Sequence, residues 1–155
     1  MELVAARKED RELLWNLNQK YLYEMTNYYY DLLDENGNLH YGYFDEYFTD
    51  PRRKAFFLYE ENTLVGFAMI HPYSETGGKP DYVLAEFTVF PMYRRRHLAQ
   101  KAAEQIFENF RGEWELKYNE NNSAAKALWT KVTARYHVRP IRLNEAETVL
   151  SFSTK

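Results

Sequence analysis

The chain has 155 residues, with 20 Lys and Arg, 23 Asp and Glu, four His and no Cys. That length suits a single domain over residues 1–155, and 45% hydrophobic content excludes a disordered chain. The missing cysteine excludes disulfides, thiolate metal sites and a cysteine nucleophile, and the net charge of −3 argues against a nucleic-acid binder.

In chain order, residues 2–6 (ELVAA) are expected to form a short strand, and Glu9-Asp10 to open a helix. Leu13, Leu14, Leu17, Tyr21, Leu22 and Met25 then recur at three- and four-residue spacing, the mark of one buried stripe. Asn36-Gly37 is a turn signal, and Phe44, Tyr47 and Phe48 suggest a short second helix. KAFFLYE and TLVGFAMIHPY flank a turn at Glu61-Asn62 and read as a hairpin. SETGGKPD is a loop by composition, and YVLAEFTVF a further strand that Pro91 ends. A helix follows with Leu98, Ala102, Ile106, Phe107 and Phe110 on one face, stopped at Gly112. WELKY is a strand, NNSAAKALWTKVTARY a helix, and strands around residues 136–139 and 148–152 finish the chain. The order β-α-α-β-β-β-α-β-α-β-β describes an α/β (α+β) fold, a mixed sheet with helices packed on it.

No apolar run approaches the ~20 residues that span a bilayer. MELVAARKED lacks the apolar stretch of a secretory signal, so the expected compartment is the cytoplasm. His40, His71 and His137 show no ligand spacing, and no metal is expected. Charge is unevenly spread: residues 1–50 hold 11 acids against four bases, and residues 51–155 hold 12 against 16. Eight of the 14 tyrosines also lie in the acidic first third. On composition alone this is a solvated acidic face over an aromatic core.

The stretch richest in chemistry is EFTVFPMYRRRHLAQKAAEQIF, residues 86–107. A strand ends at a proline, a loop carries three arginines, and an amphipathic helix begins. The first turn of a helix exposes unpaired N–H groups at the positive end of its dipole. Arginine opposes that dipole, so Arg94, Arg95 and Arg96 at this place point to an anion site that a diphosphate fits. A solvated helix cap or a nucleic-acid patch are the rival readings of the triplet. The lack of a broader basic stripe argues against the latter.

This segment resembles motif A of the GNAT superfamily of N-acetyltransferases, Gln/Arg-x-x-Gly-x-Gly/Ala, aligned as Arg94-Arg95-Arg96-His97-Leu98-Ala99. Glu86-Phe87-Thr88-Val89-Phe90-Pro91 is similar to the family's fourth strand and its exit. Asn122-Ser123-Ala124-Ala125-Lys126-Ala127-Leu128-Trp129 resembles motif B, and the hairpin at 54–73, with Val65-Gly66-Phe67-Ala68, resembles the one preceding motif A. The likeness covers residues 54–134. It implies a GNAT-like, mostly antiparallel twisted sheet with splayed central strands and about four flanking helices.

It further implies transfer of an acetyl group from acetyl-CoA to an amine, directly within a ternary complex. The main chain of Phe87, Thr88 and Val89 would hold the pantetheine as an added strand does. Amides from Arg95 to Ala99 would cradle the pyrophosphate, with the side chains of Arg94, Arg95 and Arg96 adding charge there or at the 3′-phosphate. Asn122 would fix the cofactor arm or the local backbone, while Ala125 leaves room and Trp129 lines the site. Glu86 would serve as general base, since an ammonium has no lone pair to attack a thioester. His97 replaces the family's usual glycine and is taken to lie within a helical turn. Trp129 replaces a tyrosine that protonates the leaving thiolate in many relatives, and Tyr118 and Tyr136 are the substitutes in reach. Tyr28-Tyr29-Tyr30 and the DENGN loop are expected on the acceptor side, their acids and rings suited to a cationic small-molecule or peptide amine. A non-catalytic acetyl-CoA or CoA-binding module is the alternative. Such a protein is expected as a monomer or homodimer.

Overall fold

The β-rich pattern from Lys54 onward builds most of one seven-stranded sheet in a computed structural model that describes all 155 residues. The strands are β1 (Glu2–Ala5), β2 (Lys54–Glu60), β3 (Thr63–His71), β4 (Tyr82–Val89), β5 (Glu113–Asn119), β6 (Arg139–Arg142) and β7 (Glu147–Ser153). Their order across the sheet is β1-β2-β3-β4-β5-β7-β6, antiparallel throughout except for the parallel pair β4 and β5. Three α-helices flank it: α1 (Arg11–Met25), α2 (Leu98–Asn109) and α3 (Ser123–Thr133).

Alternation along the strands gives the sheet two apolar faces. On one, Ala55, Phe57, Phe67 and Met69 meet Leu14 of α1 together with Phe44 and Tyr47. On the other, Ala68, Ile70, Leu84 and Leu116 meet Ala103, Ile106 and Phe107 of α2 and Trp129 and Val132 of α3. Leu13, expected in the α1 stripe, lies off it and is exposed, because the stripe turns through Leu14.

Two irregularities open the centre of the sheet. Met69 of β3 faces Glu86, whereas Ile70 faces Leu84, so Ala85 is an extra residue in β4. A bulge of this kind bends its strand and sharpens its twist. β4 then pairs with β5 only through Tyr82, Val83 and Leu84. Beyond Leu84 the two strands part: β5 continues against β7 as far as Asn119, and residues 86–89 keep a partner only on the β3 side. These are the splayed central strands that the resemblance implies.

Three local expectations are corrected. The second helix near Phe44 is a single 3-10 turn, Asp45–Phe48, in which only Tyr47 is buried. The strand expected over 136–139 starts at Arg139 instead. Tyr136 ends a 3-10 turn and stacks on Phe152 at 5.6 Å, and His137 is left-handed, so aromatic burial takes these residues out of the sheet. His97, finally, is not inside a helical turn. It is the cap before α2, with φ 59° and ψ 16°.

Candidate functional site

The gap between β4 and β5 forms the floor of a cleft of about 1710 Å³. Pockets for single small molecules run to about 300–1,000 Å³, so two substrates have room here. Along β4 the backbone facing the gap is available. Phe90 N–H donates to Val65 O across to β3 (2.8 Å), and alternation turns the main chain of Val89 and Phe87 the other way, into the gap. By the same alternation Thr88 turns its main chain to β3, so of the three strand residues expected to hold a pantetheine, Phe87 and Val89 offer main-chain groups. Thr88 offers its hydroxyl, which donates to Val89 O at 3.3 Å.

The loop after β4 supplies a concavity of main-chain N–H groups. Arg95 (φ 64°) and His97 (φ 59°) are left-handed, while Arg96 and Leu98 are not. Alternating handedness turns successive N–H groups toward one point, which makes an anion nest, and the free amides of α2 continue it. Glycine takes such a φ at little cost, so the αL geometry at His97 explains why the family pattern has glycine there. The His97 side chain is exposed. Arg95, His97, Leu98 and Ala99 line the cleft, but Arg96 opens onto a separate shallow depression with Gln100, Lys101 and Glu104.

Arg94 is a tie between elements. Its Nε donates to Val89 O at 2.8 Å, and its two terminal nitrogens reach the Glu24 carboxylate at 2.6 and 2.8 Å. The guanidinium holds the Glu24 carboxyl below its ordinary value, despite partial burial. The end of α1 is thereby fastened to the end of β4 and to the anion loop.

Asn122 caps α3, its Oδ1 accepting from Ala125 N at 3.1 Å, so its observed role is to fix the local backbone. Trp129 is buried with its ring 5.0 Å from that of Phe87, edge to face. Of the two tyrosines named as substitutes for an acid at position 129, Tyr118 lines the cleft. Tyr136 lies in the core against Phe107 and Phe152.

The other side of the cleft is the face bearing α1. Glu86 and Thr88 pair with Met69 and Phe67, which belong to the α1 core, so both side chains point to that face. Burial pushes the Glu86 carboxyl up to about 8, outweighing Lys117 and the Tyr21 hydroxyl, which pull it down. Tyr21, Tyr41 and Tyr47 gather round it; burial raises all three, Tyr47 to about 12. Lys117 bridges Glu75 (3.0 Å) and Glu147 (3.1 Å), and the Tyr29 hydroxyl donates to Glu147 at 2.9 Å. These carboxylates keep the Lys117 ammonium charged although burial opposes it.

Tyr28 and Tyr29 line the cleft as expected, whereas Tyr30 is exposed and the DENGN turn lies outside it. A local turn closed on Asp34, which accepts from Asn36 N and Asn38 N, holds that segment away. Sequence reasoning passed over Lys117, Arg53 and His71. A lysine inside the apolar strand WELKY was the available signal for the first. The other two carried none, because their partners come from distant segments.

The sequence model of the Acetyltransferase (GNAT) family matches residues 13–133. No curated protein sequence matches significantly. Among solved structures, an acetyltransferase from Thermus thermophilus superposes with a TM-score of 0.68 at 18% identity, over 98% of this chain and 96% of its own. A variant of the spermidine N-acetyltransferase SpeG from Vibrio cholerae gives 0.65 at 12%, over 99% and 95%. The PaiA N-acetyltransferase from Thermoplasma acidophilum, solved in complex with coenzyme A, gives 0.61 at 13%, over 99% of both chains. At these identities the superpositions establish the shared fold.

Proposed function

Since the chain belongs to the GNAT family of acetyltransferases, we propose that it moves the acetyl group of acetyl-CoA to an amine by direct transfer in a ternary complex. The observation that carries this reading is a carboxyl on the α1 face of the strand whose free edge borders the gap. Main-chain groups of Phe87 and Val89 pair with the pantetheine as an added strand does. The amides from Arg95 to Ala99 receive the pyrophosphate, and Arg95, the one arginine of the triplet that lines the cleft without an ion pair, adds charge to the same region. The wall made by Phe87, Trp129 and Ala125 bounds the arm, with Asn122 setting the position of Ala125.

The amine arrives as its ammonium cation and meets Glu86 among tyrosines. Glu86, directly or through one water, takes the proton that frees the lone pair. The amine nitrogen then attacks the acetyl carbonyl carbon, the C–S bond breaks, and the thiolate leaves as the nitrogen sheds its second proton, which balances the one the sulfur takes up. A base titrating at about 8 accepts a proton readily near neutrality once it is ionised. Tyr118, which lines the cleft from β5, is the group that would return a proton to the sulfur. Tyr43, Tyr47 and Tyr73 already carry the Arg53 guanidinium, whose charge opposes a second cation there. Tyr28 and Tyr29 remain for a cationic acceptor.

Release of CoA from acetyl-CoA, measured with and without a broad amine panel, tests the proposal. Amine-dependent release is expected. Tight acetyl-CoA binding with no release on any amine would instead mark a binding module.

A further inference from the structure

One cleft side chain has no part in acetyl transfer as described. Arg53 stands just before β2, two residues from Ala55 and therefore on the α1 face of the sheet. Its guanidinium lies over the rings of Tyr73, Tyr43 and Tyr47, 4.7, 5.2 and 5.4 Å from their centroids. Its side chain is only 10% exposed, yet Arg53 lines the cleft. Rings cover its faces, so what it has left to offer is the N–H edge.

That edge is under-used. Arg53 Nε makes no hydrogen bond, and neither does the buried hydroxyl of Tyr47, whose polar neighbours are the Tyr41 hydroxyl and the Arg53 guanidinium. The carboxylate of Asp50 forms an ion pair with Arg53 at 3.8 Å from Nε, too long for a hydrogen bond. Asp50 is engaged elsewhere: it accepts from the main-chain N, Nε and Nη2 of Arg52 and from the Tyr73 hydroxyl. Nearby on β3, His71 accepts from Tyr73 N through Nδ1 at 3.1 Å, which leaves its Nε2 as a donor. Burial, and then Arg53, hold this histidine below its ordinary value, so it is neutral at pH 7. A buried guanidinium N–H and a buried hydroxyl without acceptors are destabilising until an oxyanion arrives.

We propose that Arg53, with the Tyr47 hydroxyl and His71, receives an oxyanion carried by the acceptor, so that the acceptor is an amine bearing a carboxylate or phosphonate group. Register sets the reach. Glu86 pairs with Met69, Met69 pairs with Ala55, and Arg53 lies two residues further along that face. Two strand spacings and two residue rises put the α carbons of Glu86 and Arg53 roughly 12 Å apart. This span suits an amine and an oxyanion several bonds apart, as in an ω-amino acid or a dipeptide, better than the single carbon of an α-amino acid.

The inference rests on the acetyl-transfer reading, and its test separates the two. CoA release is measured with 4-aminobutyrate, 6-aminohexanoate and glycylglycine, with the neutral amide of each, and with aminoalkylphosphonates of matching length. The native protein is expected to prefer the anionic form over its amide by about tenfold or more in kcat/KM, the scale of a charge-assisted hydrogen bond. Arg53→Met is expected to bring that ratio to about one, and Arg53→Lys to an intermediate value. Tyr47→Phe, which keeps the ring and removes only the hydroxyl, is expected to lower the ratio in the same direction. Whether carboxylate or phosphonate turns over faster identifies the group. Amides favoured by the native protein, or a ratio unmoved by both Arg53→Met and Tyr47→Phe, would overturn the oxyanion site alone. Release on no amine at all overturns the acetyl-transfer reading and this site with it.

Discussion

Replacing Glu86 by Gln is expected to stop the reaction and to stabilise the fold at the same time. The Glu86 carboxyl titrates at about 8 in the folded chain against 4.5 for the free group. Between those values the folded state keeps a proton that the unfolded state has lost. The native chain therefore loses stability as pH rises through that window, and the loss levels off above about 8. Gln carries no such proton, so its fold does not follow this slope. The displacement from 4.5 to about 8 corresponds to at most about 5 kcal/mol, at about 1.4 kcal/mol per tenfold. Water in an open cleft screens the charge, and about 2 kcal/mol is the expected gap at pH 9. For a chain of this length that is a rise in Tm of roughly 4–8 °C for Glu86→Gln, shrinking toward zero near pH 5.

Paired measurements check both halves. Urea or thermal unfolding of the two proteins from pH 5 to 9 reads the stability gap. The pH profile of amine-dependent CoA release reads the base, expected to rise in the native protein toward about pH 8 and to fall roughly 10²–10⁴-fold in the variant. A stability gap independent of pH would refute the buried-carboxylate reasoning. Native-like kcat across pH 6–9 in Glu86→Gln would refute its assignment as base.

Three further outcomes follow from packing and backbone geometry. At His97 the αL backbone disfavours any β-carbon, so His97→Gly is expected to be more stable than His97→Ala by about 1 kcal/mol in urea unfolding, with CoA binding retained in both. A β-carbon on Gly66 would sit 2.1 Å from Thr88 O, so Gly66→Ala must push β3 from β4 and is expected to lose about 3 kcal/mol, seen as a lower urea midpoint. Trp129→Ala opens a cavity beside Phe87. It is expected to destabilise by about 3–5 kcal/mol and to weaken CoA binding by calorimetry, whereas a surface tryptophan would change neither.

Elements whose periods are local were legible beforehand. The amphipathic repeat placed α2, the alternation placed β2, β3 and β4, and the family motifs singled out the loop and helix start at residues 94–99. Other expectations failed where distant partners decide. Tyr136 is a sound strand residue until Phe107 and Phe152 compete for its ring. His97 looks helical until the chain must turn inward to form the nest. The triplet Arg94-Arg95-Arg96 reads as one basic patch, yet Glu24 takes the first guanidinium and the third opens onto a different surface.

From its sequence alone this protein is assignable to a mixed α/β fold, the GNAT family and the strand–loop–helix that carries the arginine triplet. Each of these is written in residues near one another along the chain, where spacing maps onto geometry. Tertiary structure alone decided the chemistry of the other half of the cleft. The extra residue Ala85 and the parting of β4 from β5 beyond Leu84 create the gap. The uneven charge of the first third resolves into specific pairs, with Glu24 held by Arg94 and Arg53 wrapped by tyrosines from two loops. Burial, which no linear pattern states, sets the Glu86 carboxyl near 8 and leaves the Arg53 Nε without a partner. Both effects depend on groups that fold together from far apart, and desolvation and pairing act on distance in space rather than in sequence.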